Sequence, residues 1–217
     1  MRTILVLNTK GGSGKTTVAT NIAGYFASAG KQVALADFDP QRSSLDWLAA
    51  RSEAFAPITG IDAVNNAVRT PQDTEYLILD APAGTHGAEL EKLVKRAQTM
   101  VIPVAPSPVD IRAAVHFLDE LRGLRQSVTT NVKIATIANR VRENGVRTGE
   151  LEDYLYDQRQ LDGHKLPFLA SLRAHSNYLR AAERGLSIFE FAPAATEHDR
   201  EQWLPLVRWL KSSRSVP

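Results

Sequence analysis

Apolar residues fall along this chain in short unbroken runs, separated by stretches in which they recur every three or four positions. The runs lie at 2–8 (RTILVLN), 31–37 (KQVALAD), 75–80 (EYLILD), 99–105 (TMVIPVA) and 132–138 (VKIATIA). They lack the alternation of a strand wetted on one face, and runs of Val, Ile and Leu suit strands covered on both faces, as in a parallel sheet. Between and after them, 16–29, 43–53, 87–97, 108–125, 147–160, 174–185 and 196–212 carry a helical pattern, and Gly30 supplies a stop for the first. This alternation predicts an α/β fold: a three-layer sandwich, with a mainly parallel twisted sheet and helices on both faces. Ligands of such sheets bind at the carboxyl ends of the strands. One of those loops is punctuated by Pro103, Pro106 and Pro108.

Composition narrows the class. At 217 residues, 43% apolar and 23% charged, the chain suits one core, so a single domain over 1–217 is expected. No apolar stretch approaches the 18 or so residues of a membrane span, and the chain enters a strand-like run at residue 2 without a signal-peptide pattern, which predicts a cytoplasmic protein. Cysteine is absent, which excludes disulfides, thiolate metal sites, iron–sulfur ligation and a cysteine nucleophile. The net charge of +2 hides an asymmetry: residues 1–120 hold 11 Lys/Arg against 13 Asp/Glu, and residues 121–217 hold 15 against 11.

The first loop carries the strongest chemistry. Residues 10–17 read K-G-G-S-G-K-T-T between a strand and a helix. A turn that cradles phosphate must bring several backbone N–H groups to the anion, and Gly11, Gly12 and Gly14 remove the side chains that would obstruct it, with Ser13 between them. The positive end of the following helix faces the anion, Lys15 reaches the β and γ phosphates, and the Thr16 hydroxyl can bind Mg²⁺, with Thr17 beside it. Thr9 stands where the ordinary phosphate-loop pattern has its first glycine, and the loop carries a second lysine, Lys10.

With that lysine the chain resembles the ParA/MinD family of deviant Walker A ATPases. D-F-D-P-Q at 37–41 is similar to the family's D-x-D-P-Q switch segment, and E-Y-L-I-L-D ending at Asp80 to its Walker B strand. The short length, the stretch Ser44 to Trp47 and V-I-P-V-A-P-S-P-V-D at 101–110 resemble small ParA-type partition ATPases, including orphan relatives that position other cargo. No N-terminal helix-turn-helix extension is expected. The resemblance implies ATP and Mg²⁺ as cofactors. It gives Lys15 the β and γ phosphates, Thr16, Asp39 and Asp80 the metal, and Asp39 the attacking water as well. It implies that Lys10 crosses a homodimer interface to the partner's nucleotide. Asp37 reads instead as a helix cap. Asn139 and Arg140 follow a strand where the family contacts adenine, and Pro167 with Phe168 is a candidate to pack on the base. The histidines, His86, His116, His164, His175 and His198, show no metal-ligand spacing.

Family members that move cargo bind DNA non-specifically as ATP dimers and are released when a ParB-like or cargo adaptor stimulates hydrolysis, which implies a nucleoid-associated homodimer. The candidates for phosphate contacts are Arg173, Arg180, Arg208 and Lys211, with Arg140, Arg142 and Arg147 as a second patch. A MinD-like membrane helix is the alternative. In the tail E-Q-W-L-P-L-V-R-W-L-K, residues Trp203, Leu206, Val207 and Leu210 share one helical face, which suits an interfacial helix or one packed on the core. Two basic residues and Pro205 favour the core, so a membrane partner is not expected. A small-molecule ligase on the same scaffold would need substrate-binding residues that the sequence does not display.

Overall fold

The computed structural model describes residues 1–127, 131–142, 146–157, 160–161 and 164–217. In chain order the elements are β1 (Arg2–Val6), α1 (Lys15–Ser28), β2 (Val33–Asp37), α2 (Ser43–Ala49), β3 (Thr59–Asp62), β4 (Tyr76–Asp80) and α3 (Gly87–Arg96). Then come β5 (Thr99–Val104), α4 (Pro108–Ser127), β6 (Lys133–Val141), α5 (Val146–Asp157), β7 (Gln160–Leu161) and β8 (His164–Lys165). The chain closes with β9 (Phe168–Arg173), α6 (Ser176–Ala182), α7 (Glu197–Lys211) and a 3-10 turn, Ser213–Ser215. Seven strands form one sheet in the order β3-β2-β4-β1-β5-β6-β9, with every pairing parallel. The pair β7 and β8 stands apart and is antiparallel.

Successive strand residues point to opposite faces, so an unbroken apolar run feeds two cores. Ile4, Val6, Leu35 and Ile78 enter one core with Val18, Ile22 and Phe26 of α1, Trp47 of α2, and Trp203, Leu206, Val207 and Leu210 of α7. Leu5, Leu7, Leu77 and Leu79 enter the other with Leu90 and Leu93 of α3, Phe117 and Leu121 of α4, and Leu151 and Leu155 of α5. The tail's apolar face is therefore spent on the core. No helix among the described residues is long and apolar enough to cross a membrane.

Two strands of the sheet were not expected from the sequence, and both lie at its edges. Strand β3 buries only Ile61 among its four residues, and β9 buries only Ala170 and Leu172. An edge strand is half covered, so neither carries a continuous apolar run. Helix α2 ends at Ala49, four residues short of the expected 53, and Arg51 beyond it turns inward to Glu190. Strand β6 continues past 138 to Val141 through an irregular register, with Arg140 at φ 57.

The crossover from β1 to β2 passes over β4 on the α1 face, and that from β4 to β5 passes over β1 on the α3 face. The chain thus leaves the paired carboxyl ends of β1 and β4 in opposite directions and opens a crevice above them.

Candidate functional site

The loop between β1 and α1 occupies that crevice. Gly12 and Gly14 sit at φ 80 and φ 90, a backbone region that costs side-chain-bearing residues energy. A Cβ on Gly14 would also stand 2.1 Å from the Asn139 amide nitrogen, so glycine is required there twice over. That amide is buried and donates to the Ser13 carbonyl at 2.8 Å, tying the bulge of β6 to the turn. Asn8 holds the loop's other limb: its side chain donates to the Pro103 carbonyl at 2.7 Å and accepts from the Lys10 N–H at 3.0 Å. The Gly84 N–H donates to the Thr9 carbonyl at 2.8 Å. Helix α1 opens on Gly14 with no side-chain cap and no acidic residue in its first turn. Its free amides and positive dipole end are thus left to an anion.

Lys15 is buried and its ammonium donates to the Lys10 carbonyl at 3.2 Å. Burial lowers its pKa, opposed by the charges of Asp80 and Asp39. Asp80 pairs with Val6 across the β1–β4 ladder. It is 1% exposed, and neither carboxylate oxygen has a hydrogen-bond partner. Burial pushes its pKa up to about 7, with the Asp37 carboxylate adding to the rise. The Thr16 hydroxyl and, more weakly, Lys15 and the Ser44 hydroxyl pull the other way, close enough to favour the ion without hydrogen-bonding geometry. The hydroxyls of Ser13 and Ser44 are likewise buried without partners.

Buried polar atoms left unpaired are costly and usually have a missing partner. A divalent cation beside Asp80 and Thr16 would be such a partner. No group of three His, Asp or Glu residues placed to hold a metal occurs among the described residues. Mg²⁺ is commonly held by one or two carboxylates together with waters and phosphate oxygens. The glycine cradle, Lys15, Thr16 and Asp80 therefore fit Mg²⁺ and a nucleoside polyphosphate.

The two switch-segment carboxylates have different surroundings. Asp37 is fully buried and spends both oxygens, accepting from Asp39 N–H at 2.9 Å, Ser44 N–H at 2.9 Å and Leu45 N–H at 3.3 Å. It secures the start of α2. Asp39 is partly exposed at the crevice and accepts from the Gln41 N–H at 2.9 Å in a turn that Arg42 closes at φ 57. Ser44 was missed as a site residue, because a serine after D-P-Q reads as a plain helix start and only the fold sets it beside Asp80.

Other expectations are corrected by position. Pro167 and Phe168 lie at the start of β9, where Phe168 pairs with Thr136. They stand at the amino edge of the sheet, about five strand residues or ~16 Å from Arg173 on the loop-facing edge, and cannot pack on a base held there. Asn139 and Arg140 do lie at the carboxyl edge, but the Asn139 amide is spent on the loop, while Arg140 is exposed. Arg173 is not a free surface cation, since its Nε donates to the fully buried Asp199 at 2.6 Å. Arg180, Arg208 and Lys211 are exposed, the first with its guanidinium 5.5 Å from the Phe191 ring. Arg142 is exposed, and the Arg147 side chain lies outside the described residues.

Comparison with known proteins agrees with this geometry. The sequence profile of the CobQ/CobB/MinD/ParA nucleotide binding domain matches residues 4–188. The chain is 31% identical to a maintenance of carboxysome distribution protein A of Gloeobacter kilaueensis, over 88% of this chain and 85% of that one. It is 28% identical to the protein of the same name in Halothiobacillus neapolitanus, over 87% of each. Among solved structures, a Cyanothece McdA variant in complex with ATP superposes with a TM-score of 0.72 at 17% identity, over 95% of this chain and 96% of that one. With the profile covering the phosphate loop, both switch aspartates and the Asp80 strand, the chain belongs to the CobQ/CobB/MinD/ParA family of nucleotide-binding domains.

Proposed function

We propose that this chain is a Mg²⁺-dependent ATPase, weak until a partner stimulates it, that closes into a homodimer on ATP. In that form it binds non-specific DNA, and hydrolysis releases it, so that cargo is partitioned or positioned. The observation that carries this reading is Lys10. Its N–H is held by Asn8 and its carbonyl by Lys15, but its ammonium has no hydrogen-bond or ion-pair partner among the described residues. A half-buried ammonium at the mouth of a phosphate cradle, unused by its own protomer, is placed to meet the phosphates of a second copy.

Bound ATP and Mg²⁺ would supply the transferable phosphoryl group and the charge that polarises it. Gly11, Gly12, Ser13 and Gly14 present their N–H groups to the phosphates, Lys15 neutralises β and γ charge, and Thr16 with a water on Asp80 holds the metal. Asp39, with one oxygen unspent, orients the attacking water. The names of the relatives support the purpose: two are proteins that maintain the distribution of carboxysomes, so a large protein assembly, plasmid or chromosome is the class of cargo.

Sedimentation with ATP and ADP tests the reading. The wild type should dimerise with ATP, Asp39→Ala should form the same dimer and hydrolyse about 100-fold more slowly, and Lys10→Ala should bind ATP but remain monomeric. An ATP dimer of Lys10→Ala turning over at the wild-type rate would overturn the crossing role.

A further inference from the structure

The D-x-D-P-Q segment hangs on α2, and α2 is fixed at both ends. Its amino end is tied to the site through the Asp37 carboxylate and places Ser44 beside Asp80. Its carboxyl end runs into Arg51, whose guanidinium is buried and uses its whole fork. Nε and Nη2 donate to the Ala56 carbonyl at 3.0 and 2.9 Å, Nη1 donates to the Gly185 carbonyl at 2.9 Å and to Glu190 at 3.1 Å, and Nη2 pairs with the second Glu190 oxygen. Both side chains are about 5% exposed. The guanidinium also stands 5.6 Å from the rings of Trp47 and Phe55.

The loop that receives Arg51 is itself anchored to the phosphate-loop helix. The Ile188 N–H donates to Asn21 of α1 at 2.7 Å, and the Asn21 amide donates to the Thr17 carbonyl at 2.7 Å. Trp47 donates to the Leu186 carbonyl at 3.3 Å. Two glycines allow this approach: a Cβ on Gly185 would lie 2.4 Å from the Arg51 nitrogen, and one on Gly24 would lie 2.5 Å from Ser187. Between these anchors α1, α2 and α6 leave a cleft of about 340 Å³ lined by Thr16, Trp47, Tyr178 and Leu186. Trp47 packs α2 into the core beside this cleft, and the Arg51 fork fixes its carboxyl end as Asp37 fixes its amino end.

We infer that Arg51 and Glu190 are positioning residues for ATP hydrolysis: their buried pair sets α2, and through it Asp39 and Ser44, against the phosphate loop. A buried ion pair is a poor source of stability, since well-packed apolar residues often replace one at no cost. What the fork adds is a fixed orientation, and a displacement near 1 Å can cost about 100-fold in rate. The inference rests on the ATPase reading.

The test uses the full chain carrying Arg51→Met with Glu190→Leu, which removes the pair without stranding a charge, and Glu190→Gln, which keeps the bulk and loosens the fork. Circular dichroism and thermal melts establish folding, titration with ATP·Mg²⁺ gives affinity, and steady-state kinetics gives kcat. The folded variants should bind ATP within about threefold of the wild type while kcat falls at least about tenfold, and Arg51→Lys should not restore it. Unchanged kcat in a folded variant, or a loss confined to affinity, would overturn the inference. Should the double variant not fold, Glu190→Gln decides by the same criterion. A wild type that turns over no ATP would overturn the ATPase reading and the inference with it.

Discussion

A carboxylic acid sealed from water without a donor keeps its proton, and burial pushes Asp80 up to about 7. Between about pH 4 and 7 the native protein then holds a proton that the unfolded chain has released. Asp80's share of stability is therefore present at low pH and lost as pH rises through that window, by at most about 4 kcal/mol. Asp80→Asn keeps the shape and removes the titration. In urea unfolding of the ligand-free proteins the variant should be the more stable at pH 8 and gain little at pH 5; matching profiles for the two proteins would show that Asp80 is ionised at little cost. By the same linkage Mg²⁺ must displace that proton, so the affinity for ATP·Mg²⁺ should rise from pH 6 to 8. Asn139 offers a second check. Asn139→Ala leaves the Ser13 carbonyl without its donor, a loss of about 1–3 kcal/mol, and should weaken ATP binding about tenfold in calorimetry while the circular dichroism spectrum stays unchanged. Residues 10–17 were legible because local spacing alone makes a phosphate cradle. Asn139 was legible as a neighbour of the site but not as a strut, since its partner is 126 residues away in sequence.

Among the elements, those covered on both sides were read from the sequence and those at the margins were not. Strands β1, β2, β4, β5 and β6 announce themselves because each feeds two cores, whereas β3 and β9 have one paired edge and a broken apolar pattern. Reading Pro167 and Phe168 as base contacts failed for the same reason: with β9 unrecognised, nothing assigned them to the amino edge. Helix α7 was open to two readings, a core helix or an interfacial one. Trp203 is fully buried, with its indole N–H donating to the Tyr178 hydroxyl at 2.9 Å, while Leu204 next to it is 39% exposed. Trp203→Ala should cost about 3–5 kcal/mol in denaturant unfolding, and Leu204→Ala less than about 0.5 kcal/mol. An interfacial helix would reverse the picture, with Trp203→Ala sparing stability and abolishing flotation with anionic vesicles.

For the whole molecule the proposed function raises the question of how one nucleotide site would change the grip on a polyanion. Of the candidate cations, Arg180 on α6 and Arg208 and Lys211 on α7 are exposed, while Arg173 is paired with Asp199. Each phosphate contact steepens the dependence of log K on log salt by about 0.9. On the proposed reading a monomer using two or three of these contacts would be held weakly at physiological ionic strength, whereas a closed pair would double the count along one duplex without any new kind of contact. Dimerisation alone can then switch DNA binding, and Lys10, which answers to the partner's phosphates in the proposal above, would be the residue that links them. Fluorescence anisotropy on a random-sequence duplex, titrated with KCl, measures this directly. With ATP the slope should be about twice that with ADP. Arg208→Ala with Lys211→Ala removes four contacts from the dimer and should flatten the ATP slope by about 3 to 4, with equal loss on duplexes of different sequence. An ATP slope no steeper than the ADP slope would break the link between the nucleotide site and DNA, and an unchanged slope in the double variant would move the DNA surface off α7.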